Sequence, residues 1–426
     1  MAPRHPQPRG DGHGGIDSVA RWAASGLAAL TGEATGPADL SRAPILDCAA
    51  ATLAAFDAEI AMWNGGRTRI GDESAATLLS GRAALTGARR SGRVSVGGGT
   101  RLVQAADRWL ALSLTRPDDV DLVPALLCSS PPQGREWDAI AVAAAESSAQ
   151  EMVDRARMLG LAAAVLGDTA PRSPIARHRG SRTAPRGPDG LLVVDLSALW
   201  AGPLATRLLA DVGAVVVKVE SAGRRDGARD GSPDFFGWMN HGKLSYRADL
   251  SRGRDELAAL IEVADVVVEA SRPRGLHRHG LAAAQLRTRP GQVWLRITGH
   301  GTDGTCADRI GYGDDAAVSG GLVGTGRGGP VFCGDAIADP LTGLESARLI
   351  VDALGRGGGV EIDIDLASTA ARHAAAGRAP IVAHQPVSRP PVAPLVRGPG
   401  PPLGADDSRV AAIVADRIRA AHESAL

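Results

Sequence analysis

The fold of this chain is most constrained by a regular alternation of short apolar runs with amphipathic segments between residues 191 and 366. Continuous apolar runs of this length are typical of strands that are buried on both faces of a sheet. We predict strands at 191–197, 214–220, 264–270, 292–299 and 360–366, with helices from Pro203 and around 255–264, 281–289 and 341–354. Repeated β-α units of this kind predict a Rossmann-like α/β domain with a parallel sheet, whose ligands bind at the carboxyl ends of the strands.

A less regular part precedes this domain. It contains Ala-rich helical runs, a predicted strand at 108–117 and a predicted helix at 141–159, which together indicate a smaller α+β domain placed N-terminally. We predict the following organisation: a disordered tail at 1–16, the small domain at 17–166, a linker at 167–190, the Rossmann-like domain at 191–376, a Pro-rich linker at 377–403 and a C-terminal closing helix at 404–426.

Composition excludes several classes of function. The 47 basic and 47 acidic residues balance, so no net field draws the chain to nucleic acid or to a membrane surface. No apolar run approaches the ~20 residues that a membrane span needs, and the first residues lack the apolar core of a signal peptide. The four cysteines are scattered without a CxxC pair, which predicts no metal site and a cytoplasmic location.

Two patterns bear on function. The first strand is not followed by the GxGxxG turn of a dinucleotide site. One partial internal repeat is present, in which Ser25, Thr31 and Asp47 match Ser319, Thr325 and Asp339 in order.

The loops that follow the predicted strands carry a family resemblance. The run VVDLSALWAGPLATRLLADVGAVVVKVE at 193–220, the motif Asn240-His241-Gly242-Lys243, and Asp339-Pro340-Leu341-Thr342-Gly343-Leu344 resemble family III CoA-transferases. This family includes formyl-CoA transferase, carnitine CoA-transferases and α-methylacyl-CoA racemase. The glycines 97–99 and the residues 107–112 resemble the later small domain of the family, so the domain order here is permuted.

The resemblance implies a nucleophile. In the family an aspartate attacks an acyl-CoA thioester, forms an acyl-aspartyl anhydride and then an aspartyl-CoA thioester, and passes CoA to a second carboxylic acid. Asp339 occupies the matching position, and the resemblance implies no tightly bound cofactor, with a CoA thioester as substrate. Alone, an aspartate before Pro340 is also typical of a helix N-cap. Asp47 lies at the equivalent place in the partial repeat, so the sequence leaves the working copy open.

Tyr312 separates the branches of the family. The racemase branch has a histidine at this point, whereas tyrosine is typical of members that resemble formyl-CoA transferase. Because tyrosine has an ordinary pKa near 10, it is a poor base at neutral pH but a good hydrogen-bond donor. His300 is a possible substitute base, which keeps an acyl-CoA racemase or isomerase as an alternative.

The resemblance also implies the residues around CoA. They are Trp200, where formyl-CoA transferase has a glutamine, and Ala201, Asp249, Leu250, Arg272 and Arg278. Gly97, Gly98 and Gly99 are expected to form a mobile loop over the acyl aspartate. The expected partners are an acyl-CoA, a carboxylic acid and a second copy in a homodimer, which would bury the Ala-rich faces of 17–60. A second alternative is a catalytically inactive CoA-binding subunit.

Overall fold

The computed structural model describes residues 12–65, 73–249, 253–380 and 386–423. Its α-helices are α1 (Gly12–Ala24), α2 (Pro44–Asn64), α3 (Ala75–Thr86), α4 (Pro117–Asp121), α5 (Val123–Leu127), α6 (Glu136–Ala145), α7 (Ala149–Met158), α8 (Ala201–Asp211), α9 (Ala228–Gly231), α10 (Pro233–Asn240), α11 (Arg254–Val263), α12 (Pro273–His277), α13 (Gly313–Ser319), α14 (Ala338–Gly355), α15 (Leu366–Ala374) and α16 (Asp407–Glu423). Its strands are β1 (Thr100–Gln104), β2 (Trp109–Ser113), β3 (Ala162–Val165), β4 (Ile175–His178), β5 (Leu192–Leu196), β6 (Val215–Glu220), β7 (Leu244–Arg247), β8 (Val266–Glu269), β9 (Val293–Thr298), β10 (Gly324–Gly326), β11 (Gly329–Val331) and β12 (Val360–Asp365).

The large sheet has seven strands in the order β4-β12-β9-β8-β5-β6-β7. All neighbouring strands are parallel except β4, which pairs antiparallel with β12 at the edge. The five predicted strands of the Rossmann-like part are confirmed as β5, β6, β8, β9 and β12, each shortened by one to three residues. The strand order reverses between β5 and β8, which is where an open α/β sheet forms a crevice for ligands.

Both faces of this sheet are covered, as the apolar runs predict. Val193 and Val216 belong to one hydrophobic cluster, which contains α8 and α14, whereas Val194 and Val217 belong to a second cluster with α11 and α16. Alternate residues of a strand point to opposite faces, so a valine-rich run supplies both cores at once.

The N-terminal part contributes to two different cores. Apolar residues of α1, α2 and α3, including Trp22, Phe56 and Leu79, lie in the same cluster as α8 and α14. The Ala-rich faces of 17–60 are therefore covered within the chain and do not need a second copy. Strands β1 to β3 form a separate antiparallel sheet with its own cluster of residues from α5, α6 and α7.

The prediction of a disordered tail at 1–16 is wrong in part, because α1 begins at Gly12. Three further local predictions are wrong. The helix predicted at 141–159 is two helices, because Ser148 caps the start of α7 by accepting a hydrogen bond from the Glu151 N–H. The helix predicted at 281–289 is only a 3-10 turn at Ala283–Gln285. The segment 167–190, predicted as a linker, contains the edge strand β4. Of the Pro-rich segment, the described residues 377–380 and 386–403 form no helix or strand.

The two copies of the internal repeat pack against each other. Glu33 accepts a hydrogen bond from the Arg327 N–H at 2.9 Å, and these two residues hold the same place in the two copies. Asp39 accepts from the Thr325 N–H at 2.8 Å, and Thr31 accepts from the Gly334 N–H at 3.0 Å. A contact between equivalent positions is the signature of two-fold pairing, which here occurs inside one chain.

The only two lysines of the chain are fully buried ion-pair partners. Lys243 Nζ lies 3.0 Å from Asp195 and also donates to Thr206 and Asn240 at 2.8 and 3.0 Å. Lys218 Nζ lies 2.8 Å from Asp226 and 2.6 Å from the Ser197 carbonyl. Burial alone would raise the pKa of Asp195, but the two lysines hold it well below its usual range.

Among the described residues, no helix has the length and apolar character that crossing a membrane requires.

Removing one partner of the central ion pair should destabilise the fold strongly. We expect Lys243→Met to lower the free energy of unfolding by about 3–5 kcal/mol, because Asp195 would remain buried without the lysine that contacts it. Guanidinium unfolding measures this change. Arg419→Met, which breaks the exposed pair with Asp416, is the control and should leave the unfolding midpoint unchanged. Equal midpoints for the two variants would contradict a structural role for the lysine.

Candidate active site

Asp339 lies in the first turn of α14, half-buried, and not at the N-cap. The helix begins at Ala338, and Ile337 at the N-cap makes no side-chain capping bond, so the N-cap interpretation of Asp339 is wrong. The carboxylate of Asp339 accepts a hydrogen bond from the Gly313 N–H. A Cβ atom at residue 313 would stand 2.5 Å from Asp339 Oδ2, so glycine is required for this approach.

Three further carboxylates surround Asp339. Asp314 accepts a hydrogen bond from the Ala336 N–H at 3.1 Å, and Asp315 accepts one from the Tyr312 N–H at 2.8 Å. Asp335 lies one turn before Asp339 and is 1% exposed. The four aspartates form what we call the acidic cluster.

Arg82 reaches the acidic cluster from α3. Its Nε donates to Asp335 Oδ2 at 2.8 Å and its Nη2 pairs with the other carboxylate oxygen, which makes the contact bidentate. The same guanidinium lies 4.7 Å above the ring of Trp200 and 5.8 Å from that of Phe235. Arg82 therefore connects the N-terminal helix to both Trp200 and the acidic cluster.

The charges in the cluster shift its titration. Burial raises the pKa of Asp339 to about 7; Arg82 opposes this increase, and Asp314 and Asp315 add to it. Burial also raises the pKa of Asp314 to about 7, with Asp335 adding and Arg82 opposing. Burial alone would lower the pKa of the Arg82 guanidinium, but Asp335, Asp314 and Asp339 hold it above its ordinary value. Two carboxyl groups here change charge near neutral pH.

The glycine loop lies beside Arg82. A Cβ atom at Gly97 would stand 3.6 Å from Arg82 Nη2, which places the loop next to the acidic cluster in the same chain. Gly98 has a φ of 79° and no atom within 4 Å of its Cβ position, so its tip faces open space. The ends of the loop are held together, because the Thr100 N–H donates to Ser95 Oγ at 3.1 Å.

Tyr312 and His300 both lie next to Asp315. Tyr312 is half-buried and immediately precedes Gly313 and α13. His300 is 1% exposed, with Nε2 3.6 Å from Asp315 Oδ2, and neither ring nitrogen has a hydrogen-bond partner among the described residues.

The remaining predicted residues follow the carboxyl ends of the central strands. Trp200 and Ala201 come after β5 and are buried at the start of α8. Arg272 and Arg278 come after the neighbouring strand β8, where both are exposed and form no ion pair within the described part of the chain. Asp249 is exposed after β7. Leu250 lies outside the described residues.

Two residues near Trp200 and Asp339 have a strained backbone conformation. Leu199 and Ala336 have φ values of 67° and 41°, in the left-handed region that favours glycine. Each is held by an aspartate that accepts its N–H: Asp226 for Leu199 at 3.1 Å and Asp314 for Ala336. These bonds hold Leu199 next to Trp200 and Ala336 three residues before Asp339, and strained backbone of this kind is common at functional sites.

Asp47 has different surroundings from Asp339. It lies in the first turn of α2, where it pairs with Arg21 at 2.8 Å and accepts a hydrogen bond from Ser18. Its side chain is 38% exposed. The two copies of the repeat therefore hold their aspartates in opposite environments: one is exposed and paired with arginine, and the other is partly buried among acids.

Four charged residues of the site are not predicted from the sequence: Arg82, Asp314, Asp315 and Asp335. The available signals were the pair Asp314-Asp315 shortly after Tyr312, the spacing of four between Asp335 and Asp339, and a single charged residue in the apolar helix 75–86. Within the described residues, no group of three or more His, Cys, Asp or Glu side chains is arranged to hold a metal ion.

Comparison with known proteins identifies the region that carries this site. Residues 189–390 match the model of CoA-transferase family III. Similar curated proteins are a succinate–glutarate CoA-transferase of Agrobacterium fabrum (34% identity; 42% of this chain and 50% of the relative) and the human succinyl-CoA:glutarate CoA-transferase (33%; 42% and 45%). A formyl-CoA:oxalate CoA-transferase of Rhodopseudomonas palustris is 35% identical over 39% of this chain and 42% of the relative.

A solved structure of a CAIB/BAIF family protein from Brucella suis covers 43% of this chain and 54% of its own, with 34% identity and a TM-score of 0.40. The chain spans about half the length of the curated relatives that it matches. The matched residues 189–390 contain Trp200, Tyr312 and Asp339.

The acidic cluster predicts a pH-dependent stability. A carboxyl whose pKa is raised on folding binds its proton more tightly in the folded state, so its stabilising effect is lost as pH rises through the folded pKa. The native protein should therefore lose stability between pH 5 and pH 8. We expect Asp314→Asn to lose less, so that its free energy of unfolding rises relative to that of the native protein by on the order of 1–3 kcal/mol over this range. Urea unfolding at the two pH values measures it. Asp416→Asn at the surface is the control, and an identical pH dependence in Asp314→Asn and native protein would oppose the expectation.

Proposed function

We propose that the protein transfers coenzyme A between an acyl-CoA thioester and a carboxylic acid, with Asp339 as the nucleophile. The observation that carries the proposal is the surroundings of Asp339, which lies in the region matched by the family, beside the glycine loop and Arg82, with a carboxyl pKa near neutrality. A half-buried carboxylate loses part of its hydration and becomes a better nucleophile toward a thioester.

The reaction balances without a redox or metal cofactor. A carboxylate oxygen of Asp339 attacks the thioester carbonyl, which forms an acyl-aspartyl anhydride and releases the CoA thiolate. The thiolate then attacks the aspartyl carbonyl, releases the donor acid and leaves an aspartyl-CoA thioester. The acceptor carboxylate repeats the two steps in reverse, so that its own acyl-CoA and free Asp339 are produced. Each thioester replaces another of similar energy, so no ATP is consumed.

The CoA would lie along the carboxyl edge of the sheet. Arg272 and Arg278 are exposed there without ion-pair partners among the described residues, so both guanidiniums are available for phosphate oxygens. Trp200 and Ala201, at the start of α8, would line the path between the nucleotide and Asp339. Tyr312 would donate a hydrogen bond to the acyl group. The four described cysteines are free thiols, in keeping with a cytoplasmic reaction.

Replacing Asp339 should remove turnover and leave the fold intact. We expect Asp339→Asn to reduce CoA transfer at least about a thousand-fold, because amide nitrogen and oxygen cannot replace the carboxylate nucleophile. Native protein incubated with succinyl-CoA or acetyl-CoA should carry a covalent adduct on the peptide that contains Asp339, as measured by mass spectrometry. Asp47→Asn is the matched control and should stay within a few-fold of native.

The outcomes separate the alternatives. Retained turnover in Asp339→Asn would contradict the assignment of Asp339 as the nucleophile. CoA binding without adduct or turnover in the native protein would favour the inactive CoA-binding subunit. Exchange of an α-proton of the acyl group with D₂O would favour the racemase and would indicate His300 as the base.

We further propose that the protein is a homodimer. The expectation rests on the family resemblance alone, because the apolar faces of α1 and α2 are already covered within the chain. Light scattering at micromolar concentration should give about twice the chain mass of 43.6 kDa, and a monomeric mass would refute it.

A further inference from the structure

Arg82 belongs to a segment that the family match does not include. The match begins at residue 189, whereas Arg82 lies on α3, which is joined to the rest of the core through the cluster of α8 and α14. Its side chain is nevertheless only 24% exposed and lies against Asp335 and the ring of Trp200. A buried bidentate contact of this kind holds the guanidinium in one orientation.

The charges that act on Asp339 come from α3 and α13. Asp314 and Asp315 face it from α13, and Asp335 precedes it by one turn. The charge of Arg82 has the largest electrostatic effect on Asp339 and lowers its pKa. His300 is buried behind Asp315, 3.6 Å from its Oδ2. Asp314 and Asp315 therefore oppose the ionisation of Asp339, and the guanidinium of Arg82 favours it.

We propose that Arg82 is a positioning residue that keeps the carboxylate of Asp339 ionised and fixes the glycine loop beside it. The inference rests on the proposed function, in which only the anionic carboxylate attacks the thioester. Arg82 acts through charge on Asp339 and through contact on the loop, because its Nη2 lies 3.6 Å from the Cβ position of Gly97. The N-terminal half thus supplies the cation that the nucleophile of the matched region needs.

A direct titration of Asp339 tests the proposal without any substrate. Protein labelled with ¹³C at aspartate carboxyls is titrated by NMR, and Asp339→Asn identifies the resonance. In native protein we expect a midpoint near pH 7. In Arg82→Gln the midpoint should rise by about one pH unit or more, and Arg82→Lys should restore part of the difference.

Arg93→Gln is the matched control. Arg93 also stacks on a tryptophan, 4.7 Å from the ring of Trp109, but it donates its hydrogen bonds to the backbone carbonyls of Arg327 and Gly328 instead of a carboxylate. Its substitution should leave the midpoint of Asp339 unchanged. An unchanged midpoint in folded Arg82→Gln would overturn the proposal.

A second variant tests the proposal if Arg82→Gln does not fold. Arg82→Gln leaves Asp335 buried without its cation, so we include Arg82→Gln with Asp335→Asn, which removes both charges. Because Arg82 has the largest charge effect on Asp339, the midpoint should still rise in the double variant, although by less than in Arg82→Gln. An unchanged midpoint there would also overturn the proposal.

The activity measurement separates this inference from the proposed function. If the midpoint rises by about one unit from 7, the ionised fraction at pH 7 falls, and kcat should fall about fivefold and recover at higher pH. A structural role alone would lower kcat equally at every pH. If the native protein transfers no CoA, the proposed function fails, while the NMR titration still decides the effect of Arg82 on Asp339.

Discussion

The structure depends on two buried lysines that hold the turn after the central strand. Lys218 binds both Asp226 and the carbonyl of Ser197, and Asp226 in turn accepts the N–H of Leu199. These bonds stabilise Leu199 in its left-handed conformation, and Trp200 and α8 follow directly. A buried charge network is costly to assemble, but once it is complete it permits one arrangement of the groups that it binds. Here that arrangement places the indole against which Arg82 packs.

In the acidic cluster, burial has the opposite outcome for the charge of the carboxyl groups. Asp195 keeps its charge because two lysines surround it, whereas Asp339 and Asp314 share a single guanidinium and both have a carboxyl pKa near 7. The first environment fixes the fold, and the second brings carboxyl groups to the point where they exchange protons at neutral pH. Perturbed carboxyls in a cleft are a common property of reactive sites.

Much of the fold could be predicted from the sequence, because its information is local. Valine-rich runs determined the strands, and Gly97–Gly99 and Asp339 were visible as motifs. The break between α6 and α7 was not predicted, because it depends on one capping bond of Ser148. The start of α14 was also not predicted, because it depends on the turns that precede Pro340. The single charge of Arg82 in the apolar helix 75–86 was a local signal, but its partner could not be found this way, since 253 positions separate it from Asp335 and only tertiary packing brings them together.

The pairing of the two repeat copies has a consequence for how the site evolved. In a dimer of identical chains, every substitution in a two-fold contact appears on both sides at once. Within one chain the two sides are encoded separately, so each can change while the other is kept. Glu33 now faces Arg327 across positions that would carry the same residue in a symmetric pair. Asp47 could acquire an arginine partner and solvent exposure, while Asp339 kept its place among the acids.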